Sequence, residues 1–482
     1  MNKINIYQKN LITLLGGQTV SFIINFFSIL LAARFLGVEI FGDFANLLAV
    51  VIILSKFVDF GMGPILFREL SKGKNENVYS TAISLKLILS LFLLIGMNIF
   101  FQISSFPSLE IMLANILFIT IFISSRMENF REILATPFKA NMNMQIPMML
   151  SVLDATLLLI GVLFIPIFNL GVLYFTTIYV LSNLPGFVFI IVQLNKRLDY
   201  KFNFRIKNSK WLLKEAVPLA GFVLLMVLYQ QLDTILLKYI KGSFEAGIYA
   251  AAARLTLPLN IIPSTFVTVV FPYLVKENEK GSEKQFIIKL VFKTLFFISV
   301  VIAVVSSFKI LEIVTLIFGK EYSPAALTTL LLFWAQIFLF FNFFSLDLLT
   351  IYKKQKWNFF YAAVILIFNF GLDIILIPSY SYNGVGVAKI ISALLGTVLL
   401  FVILNKIGIK FNFYKFKTSL WILGILFFIY LLSLFPLFIY LPFSIIPLLI
   451  LSYYLDFFDR EETIFIFKFI NKEKWLSKLI RN

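Results

Sequence analysis

Seven ionisable side chains stand inside stretches that are otherwise apolar, and these are the groups through which this sequence could do chemistry. Four are cations, Lys56, Lys86, Arg126 and Arg254, and three are carboxylates, Asp59, Asp154 and Asp233. An arginine fork grips phosphate or carboxylate oxygens in pairs, and a lysine meets them as a point charge. A carboxylate held among apolar residues can take up a proton or hold Na⁺. The sequence has no histidine and no cysteine. That removes the commonest general base, the thiolate nucleophile and the usual transition-metal ligands. What is left is charge recognition and ion binding. No catalytic residue, metal site or prosthetic group is expected, only H⁺ or Na⁺ as a coupling ion at Asp59, Asp233 or Asp154. Asp347 and Asp373, nearer the ends of apolar runs, read as caps or anchors.

Those side chains need elements to hold them. The chain has 482 residues, 60% of them hydrophobic and 14% charged, with a mean hydropathy of +0.95. Soluble domains carry about 25% charged residues, so the excess of apolar surface belongs in lipid. Runs of spanning length lie near 11–35, 41–66, 79–101, 109–132, 144–168, 170–193, 212–240, 244–274, 286–308, 324–350, 357–377, 384–404, 418–437 and 441–458. The expected fold is therefore an all-α integral membrane protein of about fourteen transmembrane helices. The start, MNKINIYQKN, is short and polar, and the run after it is too long for a signal peptide. It reads as the cytoplasmic lead into a retained first span.

The net charge of +17 could suggest nucleic acid, but its placement says otherwise. Connections 102–108, 166–170, 378–383 and 438–440 hold no Lys or Arg, whereas 196–214, 353–356 and 406–417 are rich in them. About 31 of the 42 basic residues fall on the side of the N-terminus and about 5 on the other. The excess is topological: both termini are expected in the cytoplasm, with the chain in the cytoplasmic membrane and no nucleic-acid partner. No connection exceeds roughly 20 residues, too short for a domain. There is no phosphate-binding G-x-x-x-x-G-K-[ST] loop and no dinucleotide fingerprint, so ATP chemistry within the chain is not expected. The piece LEIVTLIFG, inside 309–323, reads as a short interfacial or re-entrant helix.

One pattern recurs. Gly37, Gly42, Phe44 and Ala45 match Gly242, Gly247, Tyr249 and Ala250 at an offset of about 205 residues. The two copies fall at the turns between the first and second spans and between the seventh and eighth. That predicts two parallel six-helix lobes, 1–194 and 212–405, joined by a cytoplasmic linker, 195–211. Two extra helices and a basic tail, 406–482, follow. Small residues that merely allow close helix packing are the plainer reading of the same glycines.

The Gly-x4-Gly-x-aromatic turn, the run DTILLKYIKGSFEAGIYAAAARLTLPLNIIPSTFVTVVFPYL, FGKEYSPAALTTL, and NFGLDIILIPSYSYNGVGVAKIISALLG together resemble the Wzx-type polysaccharide flippases. These belong to the multidrug/oligosaccharidyl-lipid/polysaccharide exporter superfamily. The resemblance covers roughly residues 10–405 and rests on the order of loose motifs. It implies flipping of polyprenyl-pyrophosphate-linked oligosaccharide between leaflets by alternating access, for surface polysaccharides such as O-antigen. The lipid-linked glycan and the bilayer would then be the partners, along with polysaccharide polymerase machinery, and the chain would not be an enzyme. A drug or cation antiporter of the same fold is the alternative. It would favour an acidic cavity, against the four cations here. A membrane polymerase would need a large outer loop.

A pyrophosphate crossing lipid needs cationic partners. Arg254, about ten residues into its span, is the first candidate, and a structural pair with Asp233 is the competing reading. Lys56 either meets substrate or neutralises Asp59 one turn on. Lys86 and Arg126 lie nearer the cytoplasmic face and either reach substrate or snorkel to headgroups. Lys293 and Lys389 read as snorkelling residues.

Overall fold

The computed structural model describes residues 3–409 except 199, 201 and 276–280, together with 430, 432–440, 443, 444 and 462. The described residues are predominantly helical, with no strand among them. In chain order they form α1 (Lys3–Leu36), α2 (Val38–Asp59), α3 (Met62–Ser71), α4 (Glu76–Ile103), α5 (Ser108–Phe118), α6 (Thr120–Ile123), α7 (Phe130–Ala140) and α8 (Gln145–Phe168). Then follow α9 (Val172–Leu181), α10 (Leu184–Leu198), α11 (Ser209–Ile240), α12 (Ser243–Thr256), α13 (Ile261–Val275), α14 (Gly281–Phe318), α15 (Ala325–Ile351) and α16 (Gln355–Lys406). Among the described residues, ten helical stretches are long and apolar enough to cross a membrane. The expected spans at 357–377 and 384–404 both lie in α16, which turns at Ser381 (φ 49, ψ −135). The expected spans at 418–437 and 441–458 fall largely outside the described residues.

Four expected single spans are broken. The run 41–66 divides at Phe60 and Gly61, both left-handed. The run 109–132 divides into α5, α6, a 3₁₀ turn at Ser125–Met127, and α7. The run 170–193 divides at Ser182 and Asn183, and 244–274 divides at a 3₁₀ turn, Leu257–Asn260. Hydropathy misses these breaks because a few polar residues inside a long apolar run barely change its mean. The expected short helix in 309–323 is present as a helical piece ending at Phe318, set off from the long helix before it by the non-helical backbone of Lys309 (φ −128, ψ 15) within the range given for α14.

The chain falls into two compact units. One comprises Met1–Arg254, Thr315–Ala325 and Ala362–Ala388, and the other Leu255–Val314, Ala326–Tyr361 and Lys389–Asn482. In the first, α1 packs along α8, α2 along α11, and α3 against α7. The repeated glycines act here. Gly37 (φ 80) and Gly242 (φ 119) open α2 and α12 with backbone that favours glycine. Gly42 and Gly247 face each other across the α2–α12 contact: a Cβ on Gly42 would lie 1.9 Å from Ser243 O, and one on Gly247 2.0 Å from Val38 O. Arg34 donates to Leu316 O (2.9 Å) and Tyr322 Oη to Ala33 O (2.8 Å), tying 315–325 to the end of α1. In the second unit Val300, Val304 and Tyr440 share a core. Thr397 Oγ1 donates to Asn342 Oδ1 (3.0 Å), and Asn342 Nδ2 donates to Ala393 O (2.9 Å).

Candidate functional site: a cationic cavity at broken helices

A cavity of about 910 Å³ opens in the first unit. Its walls come from α1 (Gln18, Asn25), the α2–α3 break (Lys56, Asp59, Gly61), the segment between α6 and α7 (Ser125, Arg126, Glu128), and α7 (Arg131, Glu132, Lys139). Non-helical backbone at membrane depth is tolerated where it lines a cavity and its polar groups are met. The breaks in α2–α3 and α6–α7 both do so. Ser124 is extended (φ −87, ψ 132) and Glu128 left-handed (φ 50, ψ 44). Ser124 Oγ accepts from the Arg126 N–H (3.2 Å), Ser55 Oγ donates to Met127 O (3.4 Å), and Asn129 Nδ2 donates to Ser55 O (2.7 Å). The sequence SSRMEN is polar because its own side chains replace the lost helical bonds.

The charges in and behind the wall pair almost completely. Lys56 meets Glu128 (3.2 Å), Lys139 meets Glu132 (2.5 Å), Asp59 meets Lys86 (2.7 Å) and Arg131 meets Asp154 (2.5 Å). Lys56 therefore does not neutralise Asp59, because the carboxylate turns to α4 and the ammonium to the α6–α7 segment. Lys86 does not snorkel; it is fully buried on Asp59. Glu128 has a side chain 71% exposed, so its hold on Lys56 is weak. Asp154 also accepts from Ser125 Oγ (3.1 Å). Arg131, which the hydropathy reading lost at the end of a supposed span, is 3% exposed and also donates to Ile123 O and Asn183 O.

Arg126 is the exception. Its guanidinium donates to Asn25 Oδ1 (2.9 Å), Tyr179 O (3.0 Å) and Ser182 Oγ (3.2 Å), all neutral acceptors. It stacks 4.4 Å from the Tyr179 ring centroid, and its Nε is buried without a hydrogen bond. No carboxylate lies within ion-pair distance of it among the described residues, so its positive charge is left over in the cavity wall. It does not snorkel to an interface; the polar turn and Tyr179 hold it inside. Arg254, in the last turn of α12, is half-buried and outside the lining of this cavity. It too has no carboxylate at ion-pair distance among the described residues.

The third carboxylate named by the sequence, Asp233, belongs to a separate cluster in the same unit. Its Oδ2 accepts from Tyr249 Oη (2.5 Å) and its Oδ1 from Asn369 Nδ2 (3.1 Å), and the same amide nitrogen reaches Asp373 Oδ2 (2.7 Å). Both aspartates are fully buried. Asp373 is thus an interior group, not a cap or anchor. The signal for it was the spacing Asn369–Asp373, which puts both side chains on one helix face. Lys293 pairs with Glu462 (2.6 Å) instead of snorkelling, and Lys389 is buried.

Residues 7–277 match the family model described as "Polysaccharide biosynthesis protein". No curated protein matches the chain. A solved structure of the lipid II flippase MurJ, in an inward closed conformation, superposes with a TM-score of 0.75 at 19% identity, over 92% of this chain and 99% of that one. An inward-facing multidrug resistance MATE family transporter of the MOP superfamily gives 0.61 at 14% identity, over 80% and 95%. An outward-facing MATE family transporter of the same superfamily gives 0.55 at 16% identity, over 83% and 94%. At these identities the likeness is one of fold. It establishes a multi-pass membrane transporter fold.

Proposed function

The chain belongs to the polysaccharide biosynthesis protein family, and from that premise we propose that it flips polyprenyl-pyrophosphate-linked oligosaccharide across the cytoplasmic membrane. The observation that carries the reading is the uncompensated charge of Arg126 in a cavity of about 910 Å³. A half-buried cation whose direct partners are all neutral is costly at membrane depth, and a phosphate anion would relieve that cost while itself leaving water. Lys56, weakly held by Glu128, is the second phosphate partner. Arg254 is the third, reached as the two six-helix lobes, 1–194 and 212–405, rock about the linker 195–211. Lys86 supports the site through Asp59. The polyprenyl chain stays in lipid, so only the headgroup and sugars need the polar cavity. A drug cation fits this site poorly, since the wall carboxylates Asp59, Glu128 and Glu132 each already hold a lysine.

For coupling, the cluster of Asp233, Asn369 and Asp373 has the donor set for H⁺ or Na⁺: two buried carboxylates bridged by one amide. Asp154, closed on Arg131, serves structure instead. Both termini lie in the cytoplasm, and the glycan is passed on to a polymerase on the far side. The test is a leaflet-resolved assay of lipid-linked glycan in cells carrying variants at matched abundance. Arg126→Ala and Arg254→Ala should each stop delivery to the outer leaflet, and Arg126→Lys should retain part of it. Normal delivery by Arg126→Ala would overturn the reading.

A further inference from the structure

A second chamber, of about 380 Å³, lies on the other side of α7 from the cationic cavity. Tyr79 and Ile83 of α4, Phe130 and Leu134 of α7, Phe187 of α10, and Tyr200 enclose it. Along α7, Arg131 and Glu132 line the charged cavity while Phe130 and Leu134 line the chamber, so one helix divides two chemically opposite spaces. The non-helical segment 202–206 is fastened to α4: the Asn203 N–H donates to Ser80 Oγ (3.3 Å) and the Arg205 N–H to Ser84 Oγ (2.9 Å). Rings of Tyr79 and Tyr200 meet edge-on at 5.1 Å.

Two features point to what fills it. Tyr79 is 1% exposed, and its hydroxyl makes no hydrogen bond among the described residues. A buried O–H is costly until something supplies an acceptor. The end of the chamber beside Tyr200 is basic. Lys74 Nζ sits 5.3 Å from the Tyr200 ring centroid and meets Glu76 Oε1 at 2.9 Å, a solvent-exposed pair that holds it only weakly, and the Arg205 guanidinium is held by Asn77 Oδ1 at 2.5 Å. The stretch 195–210 carries six Lys or Arg and a single acidic residue. Basic rim, lone hydroxyl and aromatic interior follow the layout of an amphiphile: phosphate, ester carbonyl, hydrocarbon chain. We propose that the chamber binds an anionic phospholipid of the surrounding bilayer, with one acyl chain among the rings, an ester carbonyl on Tyr79 Oη and the phosphate at Lys74 and Arg205. A zwitterionic lipid would offer the same chain but less to the basic rim.

The test uses the full chain in phosphatidylcholine vesicles containing a small fraction of phosphatidylglycerol with a diazirine midway along one acyl chain. A parallel sample carries the same chain on phosphatidylcholine. After irradiation, labelled residues are located by mass spectrometry. Labelling should fall within 79–87 and 187–194, and phosphatidylglycerol should exceed phosphatidylcholine by about fivefold for each rim cation engaged. Lys74→Ala with Arg205→Ala should erase that preference. Tyr79→Phe, which preserves the fold, should lower labelling, and Leu134→Trp, which fills the space, should abolish it there. Equal labelling by both headgroups, labelling unchanged in Leu134→Trp, or none in the chamber would overturn the proposal. Displacement by excess polyprenyl phosphate would overturn it too, giving the chamber to a carrier chain.

Discussion

Asp59→Asn decides between two roles for that carboxylate. In the folded protein Lys86 is fully buried and its ammonium is 2.7 Å from Asp59 Oδ1. Ser80 and Ser84, on the same helix, spend their hydroxyls on other groups: Ser84 Oγ donates to Ser80 O and accepts from Arg205. Replacing the carboxylate by an amide keeps the shape and one acceptor but strands the cation. Breaking a buried pair from one side costs about 3–5 kcal/mol, a large share of stabilities of about 5–15 kcal/mol. Asp59→Asn should therefore lower abundance and the thermal midpoint in detergent, read by the fraction remaining monodisperse after heating. Adding Lys86→Met removes the stranded charge, and the double variant should recover most of the loss, because the two substitutions are coupled. If Asp59→Asn melts like the parent, the pair is not structural and this account fails. If the double variant is stable yet exports nothing, the Asp59–Lys86 pair has a role in transport beyond stability.

Two further outcomes are expected. Gly247→Ala would put a Cβ 2.0 Å from Val38 O, so α2 and α12 must part by roughly 1.3 Å to reach an ordinary C···O contact; a loss of about 1–3 kcal/mol follows, measurable as a lower melting midpoint, and an unchanged midpoint would count against the packing. A cysteine at position 203, introduced into this cysteine-free chain, should be labelled only after a thiol reagent enters the cytoplasm; labelling from outside intact cells would invert the topology.

The sequence announced its helices more clearly than their interruptions. Runs of twenty or more apolar residues can only be satisfied as helices in lipid, so Gln145–Phe168 and Ala325–Ile351 were readable almost to the residue. The breaks were not, since the apolar residues 109–123 outweigh the first residues of SSRMEN in a window of span length. The same averaging hid Arg131. Deep charges were found by type, but their partners were not. Lys56 and Asp59 sit one turn apart and look like a pair, yet each finds its counterion on another element, and nothing local encodes Glu128 or Lys86 as those counterions. Arg126 was legible as a cation inside an apolar run. That its acceptors are Asn25, Tyr179 and Ser182, leaving its charge unmatched, depends on contacts 53 to 101 residues away in sequence. The glycine repeat was legible at both levels, because a turn with positive φ and a close backbone approach each demand a residue without a side chain.

The first compact unit is assembled from three separated pieces, ending at Arg254, Ala325 and Ala388. It is therefore also a matter of timing during synthesis. At about 5–20 residues per second, the ribosome needs roughly 7 to 27 s after Arg254 to deliver Ala388. For most of that interval Asp233 sits in a nascent bundle without Asn369, and for about its first half the end of α1 lacks Tyr322. An unclosed bundle of this kind exposes polar surface inside the bilayer, where insertion chaperones and membrane proteases act. Substitutions in 362–388 that slow its docking should thus reduce yield by prolonging the exposed state, even where the finished protein tolerates them.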